Sequence, residues 1–317
     1  TLFRSGAGVT IVGCLDILRQ QTQQKRLRDA SAELYEDVQK GLMLSESLRK
    51  RSDIFPSLMI QMVEAGETSG SLDLVMSRVA MHYEKENKIN ARVKSAMVYP
   101  AVLAIVCVCV VIFLLTSVMP TFIGMFEGSN IELPGPTKAL LAISDALRSK
   151  WYIFIAFAAL AIYIFRRFAA SDGGRMALDR LKLRIPVVKA LVQKTASARF
   201  ARTMSTMLAS GIPLLKAMED TAGAVGNAAV ARGILDARES VRKGAPLSVP
   251  IRKMGCFPPM VPSMIEIGEE SGTLEEVLEK TAGIYDEEVD IEVARMLSLM
   301  EPLMIVAMAL IVGFIVI

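Results

Sequence analysis

The stretch EAGETSGSL at positions 64–72 returns as EIGEESGTL at positions 266–274, at an offset of 202 residues. The offset holds without a gap as far as Pro100 and Pro302, and each copy then runs into an uncharged apolar segment. Self-similarity at a fixed distance indicates that one structural unit is written twice.

The apolar content of the chain points to a membrane protein. Hydrophobic residues make up 52% of the 317 residues, and the mean hydropathy of +0.42 is too high for a soluble protein with a charged surface. The excess lies in three segments without a charged residue, at 95–126, 151–165 and 302–317. A membrane-spanning helix needs about 20 apolar residues, which the first segment provides. The second reaches that length if its flanking Lys and Arg side chains extend to the lipid headgroups, and the third stands where the first copy has a full span.

These patterns divide the chain into six parts. We predict a first cytoplasmic helical module at 1–96, a transmembrane helix at 97–119, an external loop at 120–150, a second transmembrane helix at 151–167, a second cytoplasmic helical module at 168–298 and a third transmembrane helix at 299–317. No Met precedes Thr1 and the last apolar run reaches Ile317, so we expect the natural chain to be longer at both ends.

The distribution of basic residues predicts the orientation. Lys and Arg are frequent in 85–94 and in 166–189, whereas the loop between the first two spans has only Lys138, Arg148 and Lys150. Because basic residues favour the cytoplasmic side, both large polar parts are expected in the cytoplasm. The net charge of +3 comes from basic and acidic residues that are interleaved, which argues against nucleic-acid binding.

The polar modules have the apolar spacing of helices. Leu72, Val75, Val79 and Tyr83 mark one helical face, and the second copy repeats this spacing. We therefore predict an all-α, polytopic membrane protein with two repeated antiparallel helical-bundle modules and three transmembrane helices. The segment 176–199 is predicted to be a helix, either along the inner leaflet or as a connector packed on the bundle.

The repeated Gly-Glu-x-Ser-Gly element has two possible interpretations. It is most simply a turn between helices, whose glycines close the preceding helix in a left-handed conformation and whose Ser71 or Thr273 caps the next one. Alternatively, Glu67 and Glu269 dock a partner or bind a divalent cation, although calcium sites need more oxygen ligands than this turn offers.

Recognisable catalytic chemistry is missing from the sequence. There is no phosphate-binding loop of the Gly-x-x-x-x-Gly-Lys-Ser/Thr type, no nucleophile elbow and no metal spacing among the four cysteines. The single histidine, His82, is replaced by Ile284 in the second copy, which is typical of a surface or packing residue. We expect no enzyme activity, no cofactor and no metal site.

Glu301 is the one candidate contact residue beside a span. It precedes Pro302, whereas the first copy has Tyr99 before Pro100. It is either a solvated residue at headgroup level or a possible partner contact that attracts a cationic group of a membrane-embedded protein.

Taken together, these motifs resemble the type II secretion system F family. AGVTI at 7–11 and SGIPL at 210–214 open the two copies, and each copy ends in the Gly-Glu-x-Ser-Gly-x-Leu motif, a Tyr and a Pro at a span. The family's signature positions in this chain are Gly66, Glu67, Gly70, Leu72, Tyr83, Pro100, Gly268, Glu269, Gly272, Leu274, Tyr285 and Pro302.

The resemblance implies a non-enzymatic platform in the bacterial cytoplasmic (inner) membrane. Such a platform couples a hexameric cytoplasmic assembly ATPase to the insertion of pilin or pseudopilin subunits during type IV pilus biogenesis or type II protein secretion. The implied partners are that ATPase, the pilin-like subunits, other inner-membrane assembly proteins, membrane lipid and further copies of the chain in a homo-oligomer. The alternative is an oligomeric membrane transporter built from repeated modules, although its spans lack the ionisable residues of most ion pathways.

Overall fold

The computed structural model describes residues 10–118, 120–121, 144, 146 and 149–316. Across these residues the chain forms helices joined by turns, without a strand. This confirms the all-α prediction, while most of the predicted external loop at 120–150 lies outside the described residues.

From residue 10 onward, the first copy forms five helices. They are α1 (Ile11–Gln21), α2 (Lys25–Gln39), α3 (Leu44–Lys50), α4 (Ser57–Ser69) and α5 (Leu72–Ala96). After Met97, α6 (Val98–Phe113) follows and ends in a π-helical turn at Leu114–Val118.

The second half begins with three helices and then repeats the pattern of the first. The helices are α7 (Trp151–Ala170), α8 (Asp172–Lys182), α9 (Pro186–Ala209), α10 (Leu214–Ala224), α11 (Ala228–Arg242), α12 (Ser248–Met254), α13 (Met260–Ser271) and α14 (Leu274–Val316). Helices α10 to α14 begin 202 to 204 residues after α1 to α5, which matches the offset of the sequence repeat.

Helices of both copies lie in one compact unit, formed by the described residues of Thr1–Asn90 and Val188–Val289. Its core repeats as well. Leu15, Leu44, Leu48 and Val63 are buried in the first copy, and so are their counterparts Met218, Leu247, Ile251 and Ile265 in the second. The boundaries of separate modules at 1–96 and 168–298 stay a prediction.

Helix α9 belongs to this unit from Val188 onward. Phe200 is completely buried, and its ring centroid lies 5.0 Å from that of Phe257. Pro186 is the first residue of α9, a position where a missing backbone N–H does no harm. Of the two interpretations of 176–199, the connector packed on the bundle is therefore confirmed for the part within α9.

The second unit contains the described residues of Ala91–Val187 and Asp290–Ile317. Among the described residues, three helices are long and apolar enough to cross a membrane: Leu72–Val118, Tyr152–Ala170 and Leu274–Gly313. Large apolar side chains on all three are exposed, for example Ile105, Phe157 and Leu310. Because no aqueous surface tolerates so much exposed apolar area, lipid is the medium that suits these helices.

The two prolines at the membrane ends of the copies occupy different helical positions. Pro100 is the third residue of α6, in a first turn that needs no amide donor from it. Pro302 lies inside α14, which is helical throughout its 43 residues. Pro302 therefore leaves the carbonyl of Ser298 without its usual helical donor at the start of the apolar part.

Candidate functional site

The carboxylate of Glu67 caps a helix that begins 23 residues earlier in the chain. Its Oε1 accepts a hydrogen bond from the backbone N–H of Leu44 at 2.6 Å. Its Oε2 accepts from the backbone N–H of Ser45 at 3.1 Å and from the Ser45 hydroxyl at 2.5 Å. The first N–H groups of a helix have no partner within the helix, and a negative charge at this end is favourable. Glu67 on α4 thus fixes the start of α3.

Glu269 does the same in the second copy. It accepts from the backbone N–H of Leu247 at 2.5 Å and from that of Ser248 at 3.1 Å, at the start of α12. A glutamate that performs one structural task at both positions favours the interpretation of this element as a turn. Partner docking by Glu67 or Glu269 stays a prediction.

The first glycine of each motif allows two helices to approach closely. A Cβ atom at Gly66 would lie 3.0 Å from Cβ of Val75 and 3.2 Å from Cα of Leu72. At Gly268 it would lie 2.9 Å from Cα of Leu274. Both glycines are inside helices and have no positive φ, so the expectation of a left-handed conformation is wrong for them.

The second glycine of each motif does adopt that conformation. Gly70 and Gly272 both have φ of 70° and end α4 and α13. Ser71 stands directly before α5 as predicted, but its hydroxyl pairs with that of Ser69 at 2.7 Å. Thr273 pairs in the same way with Ser271 at 2.7 Å. These hydroxyl pairs therefore stabilise the turn itself.

An ion pair beside each turn was not predicted from the sequence. Arg49 and Glu64 lie 2.7 Å apart, and their counterparts Arg252 and Glu266 lie 2.5 Å apart. All four side chains are about half exposed, so each pair contributes little to stability. These ion pairs could have been predicted from the sequence, because an Arg and a Glu recur at equivalent positions of both copies.

Tyr83 and Tyr285 occupy equivalent positions on α5 and α14, 202 residues apart. Burial, and then the charge of Glu86, raises the pKa of Tyr83 to about 12. Burial and the charge of Glu288 likewise raise the pKa of Tyr285 to about 12. Both phenols are therefore neutral, and Tyr285 is only 3% exposed. Their location indicates packing between helices.

His82 is a buried residue rather than a surface residue. It is 4% exposed, and its ring lies edge-on to that of Tyr83 with centroids 5.2 Å apart. Burial, and then the nearby charge of Arg202, lowers the pKa of His82 to about 4. The imidazole is therefore neutral near pH 7.

Other predicted positions do not converge on one site. Glu301 is exposed on α14, and nothing in the structure tests its role as a partner contact. Within the described part of the chain, no three His, Cys, Asp or Glu side chains come together as a metal site would require.

The first copy contacts the second copy and helix α9 through polar side chains that sequence reasoning did not identify. The amide of Gln61 donates to Asp220 Oδ1 at 2.9 Å. Arg199 on α9 donates to Asn90 Oδ1 at 2.6 Å, and Arg78 donates to the carbonyl of Ala209. Contacts across more than 100 residues leave no local sequence pattern, so one sequence alone cannot reveal them.

Comparison with known proteins matches the two segments of the chain that contain the repeated turns. The family model described as "Type II secretion system (T2SS), protein F" matches residues 4–120 and 200–317, which are the two copies. The chain is 40% identical to the type IV pilus assembly protein PilC of Thermus thermophilus, over 98% of this chain and 77% of the relative. It is 36% identical to PilC of Pseudomonas aeruginosa, over 97% and 83%, and 34% identical to the type II secretion system protein F of Aeromonas hydrophila, over 98% and 80%.

Both matched segments carry the capping glutamate, the close-packing glycine and the apolar helix that follows them. The similarity extends over nearly the whole length of the chain. The chain therefore belongs to the type II secretion system protein F family.

Proposed function

We propose that this protein is a non-enzymatic platform in the bacterial inner membrane, working in type IV pilus biogenesis or type II protein secretion. The observation that carries this proposal is the similarity over 98% of the chain to relatives named for pilus assembly and for secretion. Three helices apolar enough to cross a membrane support the location.

The test is deletion of the gene followed by complementation with the full-length protein. Surface pili are counted by electron microscopy, secreted proteins are assayed in the medium, and solute uptake is measured in the same cells. We expect loss of pili or of secretion with unchanged uptake. A specific uptake defect with normal pili and secretion would support the transporter alternative instead.

Both large polar regions are proposed to lie in the cytoplasm. The frequent Lys and Arg residues in 85–94 and 166–189 support this orientation, because basic residues favour the cytoplasmic side. The hydrogen bonds of Gln61 with Asp220 and of Arg199 with Asn90 support placing both copies in one compartment.

Cysteine labelling tests the orientation. In a variant without native cysteines, Lys40→Cys and Lys243→Cys place single thiols at equivalent exposed positions of the two copies. A membrane-impermeant maleimide should label neither thiol in intact spheroplasts and both after lysis. Labelling of one copy in intact spheroplasts would contradict the proposal.

The proposed mechanism transmits motion along helices. Helix α14 is continuous from the turn at Gly272 to the apolar part, and its 43 residues correspond to roughly 65 Å. A cytoplasmic assembly ATPase that displaces the helical bundle would move such a helix. Its apolar part would then act on a pilin or pseudopilin subunit in the bilayer, with Glu301 as a contact.

Photo-crosslinking in cells tests these partners. A crosslinking amino acid at Lys40 or Lys243 is expected to capture the ATPase, and one at Leu303 or Leu310 is expected to capture a pilin-like subunit. The crosslinks should disappear in strains that lack the corresponding partner. Normal filament assembly without any ATPase crosslink from either copy would argue against direct coupling.

Self-association is the remaining proposed partnership. Ala65 lines a groove with Ser210 and Gly211 of the second copy. Its own counterpart in the second copy, Ile267, is 52% exposed, and another chain is proposed to pack against it. Ile267→Asp should lower the oligomer mass in detergent measured by light scattering, and an unchanged mass would exclude this surface.

A further inference from the structure

A small cavity of about 140 Å³ lies among α5, α9 and α14 in the first unit. Its charged lining is mostly basic: Arg78 and Lys85 come from α5 and Arg202 comes from α9, and the neutral His82 of α5 lies beside them. Glu279 of α14 is the acidic residue in the lining. A partly open pocket with this balance of charge is suited to an anion.

Two of these side chains are more than nine-tenths buried and have unpartnered nitrogen atoms. Arg202 is 6% exposed and pairs with Asp286 through Nη2, while its Nε and Nη1 have no hydrogen-bond partner. His82 is 4% exposed, and its Nδ1, which is a donor in the Nδ1–H tautomer of the neutral imidazole, has no partner either. A buried donor without an acceptor costs about 1–3 kcal/mol, and more when it is charged. These donors therefore call for an acceptor that protein side chains do not supply.

The acidic groups near the cavity are already engaged. Asp286 pairs with Arg202, and Glu86 lies 3.7 Å from both Arg199 Nε and His82 Nε2. Glu279 therefore remains to balance Arg78 and Lys85 within the lining. The planar guanidinium groups match the oxygen spacing of phosphate better than that of a spherical ion.

The cluster is not part of the repeated architecture. The counterparts of Arg78, His82 and Lys85 in the second copy are Lys280, Ile284 and Glu287, and all three are exposed. The capping glutamates recur in both copies, whereas these basic residues do not. The repeat therefore does not account for the cavity.

We propose that this cavity binds inorganic phosphate, held by Arg202, Arg78 and His82 with Lys85 at its edge. A single phosphate group fits the volume, since one water takes about 30 Å³ in the liquid. The phosphate of a membrane lipid is a poor source. Lys85, the lining residue of α5 nearest the membrane, precedes the predicted transmembrane helix at 97–119 by 12 residues, or roughly 18 Å along the helix. Bound phosphate would connect α5 with α9 directly, and with α14 through the pair of Arg202 and Asp286.

The experiment uses the full chain, purified in a detergent without phosphate. Thermal unfolding is followed by circular dichroism with inorganic phosphate or with sodium chloride at equal ionic strength, and binding is measured from ³¹P line widths. We expect a saturable rise in melting temperature with phosphate alone. Arg78→Gln and Lys85→Gln should weaken phosphate binding at least tenfold.

Lys280→Gln is the matched control, because it removes a charge at the position equivalent to Arg78 but outside the cavity. It should bind phosphate as the unmodified protein does. Lys85 makes no described hydrogen bond, so its variant tests binding even if Arg78→Gln folds poorly. The proposal is overturned if phosphate and chloride act alike, which would leave water in the cavity, or if Lys280→Gln and Lys85→Gln lose binding equally.

Discussion

Replacement of Glu67 by Gln should destabilise the first compact unit far more than the same replacement three residues earlier. The Glu67 carboxylate accepts three hydrogen bonds at the start of α3, two from backbone N–H groups and one from a hydroxyl. Gln retains one oxygen acceptor and turns an N–H group towards the remaining donors. Hydrogen bonds to charged groups contribute about 1.5–3 kcal/mol each, and a helix cap about 1 kcal/mol. We expect the free energy of unfolding to fall by about 2–4 kcal/mol.

Glu64→Gln is the control on the same helix. Glu64 is about half exposed and forms a surface ion pair with Arg49, so its loss should cost less than about 1 kcal/mol. Thermal unfolding of the full chain in detergent, followed by circular dichroism, measures both variants. Glu67→Gln should melt roughly 5–15 °C below Glu64→Gln.

Hydrogen exchange provides the local test. The amides of Leu44 and Ser45 donate to Glu67, so they should exchange faster in Glu67→Gln and at an unchanged rate in Glu64→Gln. Equal melting temperatures, or unchanged exchange at these two amides, would refute the assignment of Glu67 as the cap of α3.

Three further outcomes are expected. Folding lowers the pKa of His82 from 6.5 to about 4. The contribution of the neutral imidazole to the free energy of unfolding is therefore complete above pH 6.5. It is lost as the pH falls towards 4, by up to about 3 kcal/mol. A melting-temperature profile against pH should therefore be flatter in His82→Gln, and an identical profile would contradict this. Gly268→Ala forces a Cβ atom against the backbone and should lower the free energy of unfolding by about 1–3 kcal/mol. Gly283→Ala, whose Cβ would have nothing within 4 Å, should stabilise α14 by up to about 1 kcal/mol. Thermal unfolding measures both variants, and similar effects would exclude close packing as the reason for Gly268. Glu301→Gln should reduce filament assembly and leave the melting temperature unchanged, because the side chain is exposed. The control Glu287→Gln should change neither. Normal filament assembly in Glu301→Gln would exclude Glu301 as a partner contact.

The local parts of the fold follow from the sequence. Helical spacing and the 202-residue offset predict the helices after each turn, and the left-handed glycines end α4 and α13 at the predicted residues. Three uncharged segments predict three apolar helices. In each case the determining interactions join residues a few positions apart, or depend on composition alone.

The rest depends on contacts between distant residues. The sequence places Glu67 in a turn motif, but its role as a hydrogen-bond acceptor depends on the location of the start of α3, 22 to 23 residues away. The location of α9 depends on its contacts with both α5 and α14, and the cavity beside His82 is formed by residues of all three helices. The spacing of residues along one sequence does not reveal which distant helices contact each other.

The shared position of α9 has a consequence for how the protein melts. Its Arg199 reaches Asn90 of the first copy, while Lys194 lies 2.7 Å from Glu288 of the second. Loss of either bundle would strip α9 of one of its two sets of partners. The duplicated halves should therefore denature cooperatively, and calorimetry should record one heat-absorption peak for the water-exposed part of the chain.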